Sequence, residues 1–498
     1  MAWTRVGWMD DVNDPDKSSR SRVIGTPENP SPCVGKLPRP CSSGPLRAMR
    51  TEWRLFLAFF ALLMISYWVF GGYRNWPYKI ESDGKYYYQY LVSAIYDGDL
   101  DFSNQYRTPK YPWMRMPIDI DFQKAVSPKT GRPANPFPPG AAVLWAPFFL
   151  LSWLLGTALG WVGFRIEMAP FGRWFQFGVM TAGPTYAALA LVILSRLIAR
   201  LRMVARASSS LALLLILLAS PLYYYAVFEP SMSHVYDLFT FVLYLICVLR
   251  WLDRRGACSL AALTLAGAAF IWVRPQNAVT VALFSGALLW VPGRGQVSGW
   301  PGRIWGRLFA SALPLVCGVL PILAVNAYLY GGLVFVSQGA NFIDLGHPAW
   351  YGVLLSARNG LFSHHPLLLL GLIGFVALLF SRQHAAPKWF LWTLAAALLA
   401  QVHLNSCVGD WWGGHSFGQR RLVSSLVLFA IGLAFLMEKL RRCGRGRFGW
   451  PVLVPAGLVC VLGFYLVLIH VFLWNYNQPH DIARWMFVIA PRLFAHRH

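Results

Sequence analysis

The sequence predicts an all-α protein that crosses a membrane many times, and three observations carry that prediction. Hydrophobic residues make up 56 % of the 498 residues and charged residues 13 %, about half the charged share of an ordinary soluble domain. A mean hydropathy of +0.45 leaves more apolar surface than a water-soluble core can hide. The apolar residues also recur in runs near the ~20 residues that a helix needs to span a hydrocarbon core. Backbone in lipid must bond to itself, and runs of this length do so as helices, not as barrel strands. The formal charge of +23 raises nucleic acid as a partner. The basic residues, however, sit in short clusters between apolar runs, the pattern of loops retained on the cytoplasmic side, and nucleic acid is set aside. Cys247, Cys258, Cys317 and Cys460 fall inside apolar runs and Cys33 and Cys41 near the N-terminus, so no paired extracellular framework is visible.

Residues 1–50 are polar and rich in Pro, Ser and Arg, which predicts a disordered cytoplasmic tail. It is no signal peptide, because the first apolar stretch begins only at Leu55, and Met49 offers a second start. A transmembrane domain is predicted over 51–474, followed by a short tail at 475–498. Its apolar runs lie near 55–70, 140–163, 176–195, 208–227, 236–251, 257–273, 277–292, 308–330, 366–380, 389–404, 422–437 and 451–474, or about 11–12 helices. The loops 196–207, 250–256, 293–307, 381–388 and 438–450 hold most of the loop basic charge and are placed inside. The loops 228–235, 274–276, 331–365 and 405–421 then face outward. Arg39, Arg47, Arg50 and Arg54 also put the N-terminus inside, so a full crossing at 140–163 would reverse every later loop. Eleven crossings are expected, with the Pro147, Gly156 and Gly160 segment broken or re-entrant and 164–175 left outside. An outside N-terminus with twelve crossings satisfies the same loops.

The first outer loop, 73–139, opens with Glu81-Ser82-Asp83-Gly84, continues as GKYYYQYLVSAIY and closes on DGDLDF. Leu91 and Ile95 lie four apart with Tyr87 and Tyr88 one turn earlier, which predicts a helix on the bilayer surface with its phenols among the headgroups. Asp83 stands at its start, where a carboxylate serves as an N-cap, as a general base for an attacking hydroxyl, or as both, with Glu81 assisting. Asp97, Asp99 and Asp101 alternate, but Phe102 replaces the glycine and Thr108 the glutamate that a calcium loop needs. They read first as turn formers and second as a weak metal site.

WWGGHSFGQRR, residues 411–421, is the second constellation. Gly413, Gly414 and Gly418 let backbone approach a ligand, and Trp411 and Trp412 offer flat faces to a sugar or headgroup. Arg420 and Arg421 lie against the usual charge bias on the outer side and call for an anion, of which a lipid phosphate fits the guanidinium fork. The alternative is a Trp and Arg interfacial anchor. Arg274, in WVRPQN, emerges where one helix ends, and Glu229, His234 and Asp237 occupy the neighbouring hairpin. Adjacent His364 and His365 do not readily aim at one ion, and no metal ligands are assigned. The ionisable residues cluster at one leaflet boundary, whereas a transporter would carry polar groups at the midplane.

The first-loop acids, the PPG-led apolar segment from Pro138, and EPSMSH, RPQNA, GLFSHHPLLL and WWGGHSFGQRR together resemble the GT-C superfamily. Its members are polytopic glycosyltransferases such as protein O-mannosyltransferases and lipid A aminoarabinose transferases, and the residues look like a bacterial branch. The resemblance implies a cell-membrane enzyme moving a sugar from a polyprenyl-phosphate carrier to an acceptor hydroxyl on the outer face. By that resemblance Asp83 is the catalytic acid of the first loop with Glu81 beside it, although Glu81-Ser82-Asp83 replaces the usual adjacent pair. Arg274, Arg420, Arg421, His234 and His415 would hold the donor phosphate, and Trp411, Trp412, Asp99 and Asp101 would contact sugar or acceptor. No cofactor is certain, and a divalent metal ion stays open. A transporter or flippase of lipid-linked saccharides, or an O-antigen-ligase-like transferase, is the competing reading.

Overall fold

The computed structural model describes residues 45–71, 80, 82–107, 126–291, 303–339, 342–381, 386–414, 416–444 and 446–473. Glu81, His415 and most of the two predicted tails lie outside the described residues. Met49–His498 forms one unit.

The described residues are helical apart from two isolated bridges, Val126 with Pro133 and Ile343 with Val408. The main helices are α1 (Pro45–Ser66), α2 (Asp83–Val92), α3 (Gly140–Trp161), α4 (Arg173–Met180), α5 (Ala182–Arg200), α6 (Arg206–Leu218), α7 (Pro221–Val227) and α8 (His234–Asp253). They continue as α9 (Ala257–Val273), α10 (Asn277–Trp290), α11 (Arg303–Tyr330), α12 (Pro366–Phe380), α13 (Lys388–Ser406), α14 (Leu426–Cys443) and α15 (Trp450–Leu473). Six stretches are long and apolar enough to cross a membrane, seven with the α6–α7 pair, which bends by 65°. The bend is written in the sequence: Pro221 opens α7, and Ser220 Oγ accepts from the Leu222 amide at 3.2 Å. The chain is a multi-pass helical membrane protein.

Basic helix ends gather at one rim. Arg196 pairs with Glu52, Arg200 with Asp253, and buried Glu438 of α14 accepts from Ser208 at 2.7 Å and holds Arg441 and Arg442 at 2.9 Å each. Arg255 reaches the Val291 carbonyl and Arg307 that of Leu289. At the opposite rim α2 meets the 228–233 turn, and Thr130 reaches the Leu329 carbonyl at the end of α11. Followed through these contacts, the α6–α7 pair, α8 and α11 run from one rim to the other.

α3 differs from expectation in an instructive way. It is one continuous 22-residue helix with Pro147 inside it, unbroken at Gly156 or Gly160. Trp145 and Phe149 are fully buried, and that packing holds the helix across the missing proline N–H. Gly156 gives room instead of a break, since a Cβ there would sit 2.6 Å from Met168 Sδ. Yet the chain does return. Gly140 packs on the Trp272–Val273 backbone, and after the helix Pro170 accepts from Tyr88 at 2.5 Å and Gln176 Oε1 from the Ile80 amide at 2.9 Å. The 170–176 segment therefore meets the α2 segment, while α3 itself is long and apolar enough to cross a membrane.

The headgroup contact predicted for the tyrosines of α2 is not found. Tyr86, Tyr87, Tyr88, Tyr90, Leu91 and Val92 are all buried. Tyr87 stands edge-on to Phe137 and Trp145, and Tyr88 to Phe149 and Phe171, so the phenols face protein, not headgroups. The apolar faces of α3 and the returning 164–175 segment offer those rings more contact than the bilayer surface would. Deeper in the bundle, α12 and α14 touch backbone to backbone at Gly371 and Gly432, where a Cβ on Gly432 would lie 1.9 Å from the Gly371 carbonyl oxygen, the small-residue packing that membranes favour.

Candidate functional site

Four chain segments converge at the α2 rim: the start of α2, the 228–233 turn with the first residues of α8, the α9–α10 turn at Arg274, and the 410–422 loop between α13 and α14. Asp83 is the first residue of α2 and not its cap. Ser82 precedes it in the left-handed region at φ 51°, with no capping bond from its side chain. Freed from capping, the Asp83 carboxylate lies with Oδ2 3.5 Å from Arg420 Nη1, and the two side chains are 20 % and 14 % exposed. This approach needs Gly84, because a Cβ there would meet Ser231 Cβ at 2.5 Å.

Arg274 follows the last residue of α9. Its Nη1 donates to His234 Nδ1 at 3.2 Å and lies 3.9 Å from Asp237 Oδ2. Gln276, with its amide oxygen turned inward, accepts from Arg274 Nε and Nη2 at 2.9 Å each. Asp237 is held in turn by Asn277 at 2.6 Å. The guanidinium can only donate, so His234 accepts at Nδ1 and carries its proton at Nε2.

Arg420 and Arg421 are neighbours with different occupations. Arg421 grips Asp410 twice, Nη2 to Oδ1 at 2.6 Å and Nη1 to the carbonyl at 2.7 Å. Arg420, besides Asp83, reaches only Met232 Sδ at 3.8 Å among the hydrogen bonds of the described residues. Burial pulls the Arg420 guanidinium down, but Asp83, Tyr225, Tyr87 and Asp410 outweigh it and leave it raised. Burial lowers Arg421 to about 10, with Asp410 opposing and Arg420 adding to the shift. Burial also lowers Arg274, against the pull of Asp237 and Tyr87. The Tyr87 phenol, one turn after Asp83, is pushed well up by burial and then by Asp83, so it stays a neutral donor.

The remaining predicted residues fare unevenly. Trp411 lies over Gly352, whose added Cβ would come within 2.9 Å of the indole, and Trp412 carries Arg358 4.0 Å above its ring. One face of each is thus taken by the protein. Asn359, at φ 61°, donates to the Trp412 carbonyl at 2.9 Å and to Ser416 at 3.2 Å, clamping the loop. Asp99 accepts from Ser93 at 2.8 Å and from the Asp101 amide at 3.1 Å, and Asp101 accepts from the Ser103 amide at 3.0 Å. Their carboxylates are therefore turned to their own loop, as turn formers. Among the described residues no three His, Cys, Asp or Glu side chains are grouped to hold a metal. Sequence reasoning missed Tyr87, Asp410 and Ser231 at the site. The four-residue spacing from Asp83 to Tyr87 was the available signal, and nothing local marked the other two.

No protein family matches the chain, and no curated protein matches it. Two solved structures of an oligosaccharyltransferase from Archaeoglobus fulgidus are similar in shape. The apo form shares 12 % identity with a TM-score of 0.46, over 84 % of this chain and 55 % of its own. The AglB complex with an inhibitory peptide and a dolichol-phosphate shares 12 % identity with a TM-score of 0.45, over 85 % and 56 %. This chain spans about half the length of either, and at these scores neither identifies its fold or its chemistry.

Proposed function

We propose that the protein is a glycosyltransferase of the GT-C type that moves a sugar from a polyprenyl-phosphate carrier to an acceptor hydroxyl, on the outer face of a bacterial cytoplasmic membrane. The observation that carries this reading is the part-open carboxylate of Asp83 held 3.5 Å from Arg420, beside Arg274 and His234, at the rim opposite the basic helix ends. Basic loops stay inside, which supports an outer position for this rim. In the proposed step Asp83 takes the acceptor proton, the acceptor oxygen bonds to the anomeric carbon, and the carbon–oxygen bond to the lipid phosphate breaks, with its electron pair leaving on the phosphate. Arg420 meets the charge that develops there, with Arg274 and the Nε2–H of His234 behind it. Arg421 is assigned to Asp410 and the loop, and Asp99 and Asp101 to their turn. Trp411 and Trp412 are assigned to sugar or acceptor through the ring surface that Gly352 and Arg358 leave uncovered.

The test is transfer by purified protein in lipid nanodiscs, using radiolabelled polyprenyl-phosphate sugars and a panel of acceptors. Asp83→Asn should lower turnover by at least ~10²-fold and leave lipid binding intact. Unchanged turnover in that variant removes Asp83 from the chemistry. Lipid-linked saccharide crossing the bilayer with no glycoside formed would favour the flippase reading instead.

A further inference from the structure

We propose that the donor itself unlocks the base: Arg420 holds the Asp83 carboxylate, and an arriving lipid phosphate draws the guanidinium away and frees it. This inference rests on the transferase reading and adds an order of substrate addition, donor before acceptor.

The three arginines differ in how easily each can change partner. Arg421 is fixed by two short bonds to Asp410, and Arg274 is shared among His234, Asp237 and Gln276. Arg420 has one carboxylate contact, at 3.5 Å and single-pronged, plus a thioether that is a weak acceptor. Both members of this pair are part-exposed, whereas in the Arg274 pair Asp237 is only 1 % exposed, so an anion from the rim reaches the Arg420 pair first. A phosphate offers the guanidinium fork two parallel bonds and more charge than the carboxylate does. The guanidinium stands against the carboxylate oxygen that an acceptor hydroxyl would approach, and exchange of partners uncovers it. A hydroxyl acceptor arriving first would find the base occupied.

The exchange is read by carbodiimide labelling of Asp83, mapped by peptide mass spectrometry on the full-length protein in nanodiscs. The probe is sugar-free polyprenyl monophosphate. Labelling of the wild type should rise by roughly two- to fivefold when the probe binds, the range that a part-exposed ion pair supports. Arg420→Ala should label at the high level with or without the probe, and Arg420→Gln serves if that variant does not insert. Inorganic phosphate at the same concentration should leave the wild type low. An equal response to it overturns the lipid as the key. Labelling that stays flat or falls in the wild type, with the probe shown bound by native mass spectrometry, overturns the unlocking and leaves the transferase reading standing. A probe that does not bind at all sinks both, and full turnover in Asp83→Asn sinks the transferase reading whatever the labelling does.

Discussion

The approach of α2 to the 228–233 turn depends on a single missing methyl group. In Gly84→Ala the new Cβ would lie 2.5 Å from Ser231 Cβ, 2.9 Å from its Oγ and 3.0 Å from Ile80 Cγ2. Carbon atoms in contact sit about 3.5–4.0 Å apart, so α2 must retreat by roughly 1 Å. Ser231 is 1 % exposed and cannot swing clear. Asp83 is the adjacent residue and moves with the helix. Lengthening its 3.5 Å contact with Arg420 by roughly 1 Å removes about 1 kcal/mol of attraction at an effective dielectric near 20. Overpacking itself costs about 1–3 kcal/mol, and a misplacement of this size near reacting atoms lowers rates by roughly 10²-fold. The expected result in the sugar-transfer assay is a loss of that order with a modest drop in melting temperature. The double variant Gly84→Ala/Ser231→Gly removes the two closest clashes and leaves only Ile80, so it should recover most of the turnover. Full activity in Gly84→Ala, or no recovery in the double variant at an unchanged melting temperature, refutes the reasoning.

Three further outcomes rest on the same geometry. Asp410→Ala leaves buried Arg421 with the residue-410 carbonyl but no carboxylate and should lower stability by about 1–2 kcal/mol, while adding Arg421→Met should cost less than the sum of the single changes, measured as a double-mutant cycle of melting midpoints. Asn359→Ala loses two hydrogen bonds and puts at φ 61° a residue that tolerates the left-handed region less well than asparagine. Asn359→Gly loses only the bonds, so its thermal loss should be the smaller of the two. His365 lies just before α12, 2 % exposed against Phe417, and burial holds its ring down to about 3, with the Ala219 backbone opposing. Its folded pKa is below the unfolded one, so the unfolded chain binds the extra proton between pH ~6.5 and ~3, and stability falls as pH falls through that window. From pH 7 to 5 the wild type should lose about 2 kcal/mol more than His365→Leu, and equal losses in the two proteins would refute the assignment.

Much of the architecture is legible because lipid permits few solutions. Apolar runs become helices, and clustered arginines mark their ends, as Arg196, Arg200, Arg255 and Arg441 do here. What the sequence hides is the use to which a residue with two roles is put. Gly156 and Gly160 beside Pro147 read as a break, but glycine that bends a helix and glycine that admits a neighbour are the same letter. Met168, twelve residues after Gly156, decides between them. The tyrosines of α2 have the composition of an interfacial belt, and only the fold reveals that α3 and the 164–175 return cover them. The meeting of Asp83 with Arg420 was expected from their loops sharing a side, not from any spacing along the chain.

Arg420 and Arg421 show where reading by residue type stops. Both looked suited to a phosphate, and they are adjacent, so no periodicity separates them. Their backbone does: in the short helical turn Arg420–Leu422 successive side chains diverge, so that Arg421 falls on Asp410 and Arg420 on Asp83. With Arg274 on Asp237, each of these three arginines meets a carboxylate among the described residues. A phosphate that takes one of these guanidiniums competes with its carboxylate. Arg420 is the most exposed of the three guanidiniums, and its partner Asp83 is the carboxylate whose release the proposed transfer requires. If Asp410 were instead the carboxylate given up, Arg421 would bind the donor and the loop would loosen as it bound. Proteolysis of the 410–422 loop separates the two cases, since protection by polyprenyl phosphate fits exchange at Arg420 and faster cleavage fits exchange at Arg421.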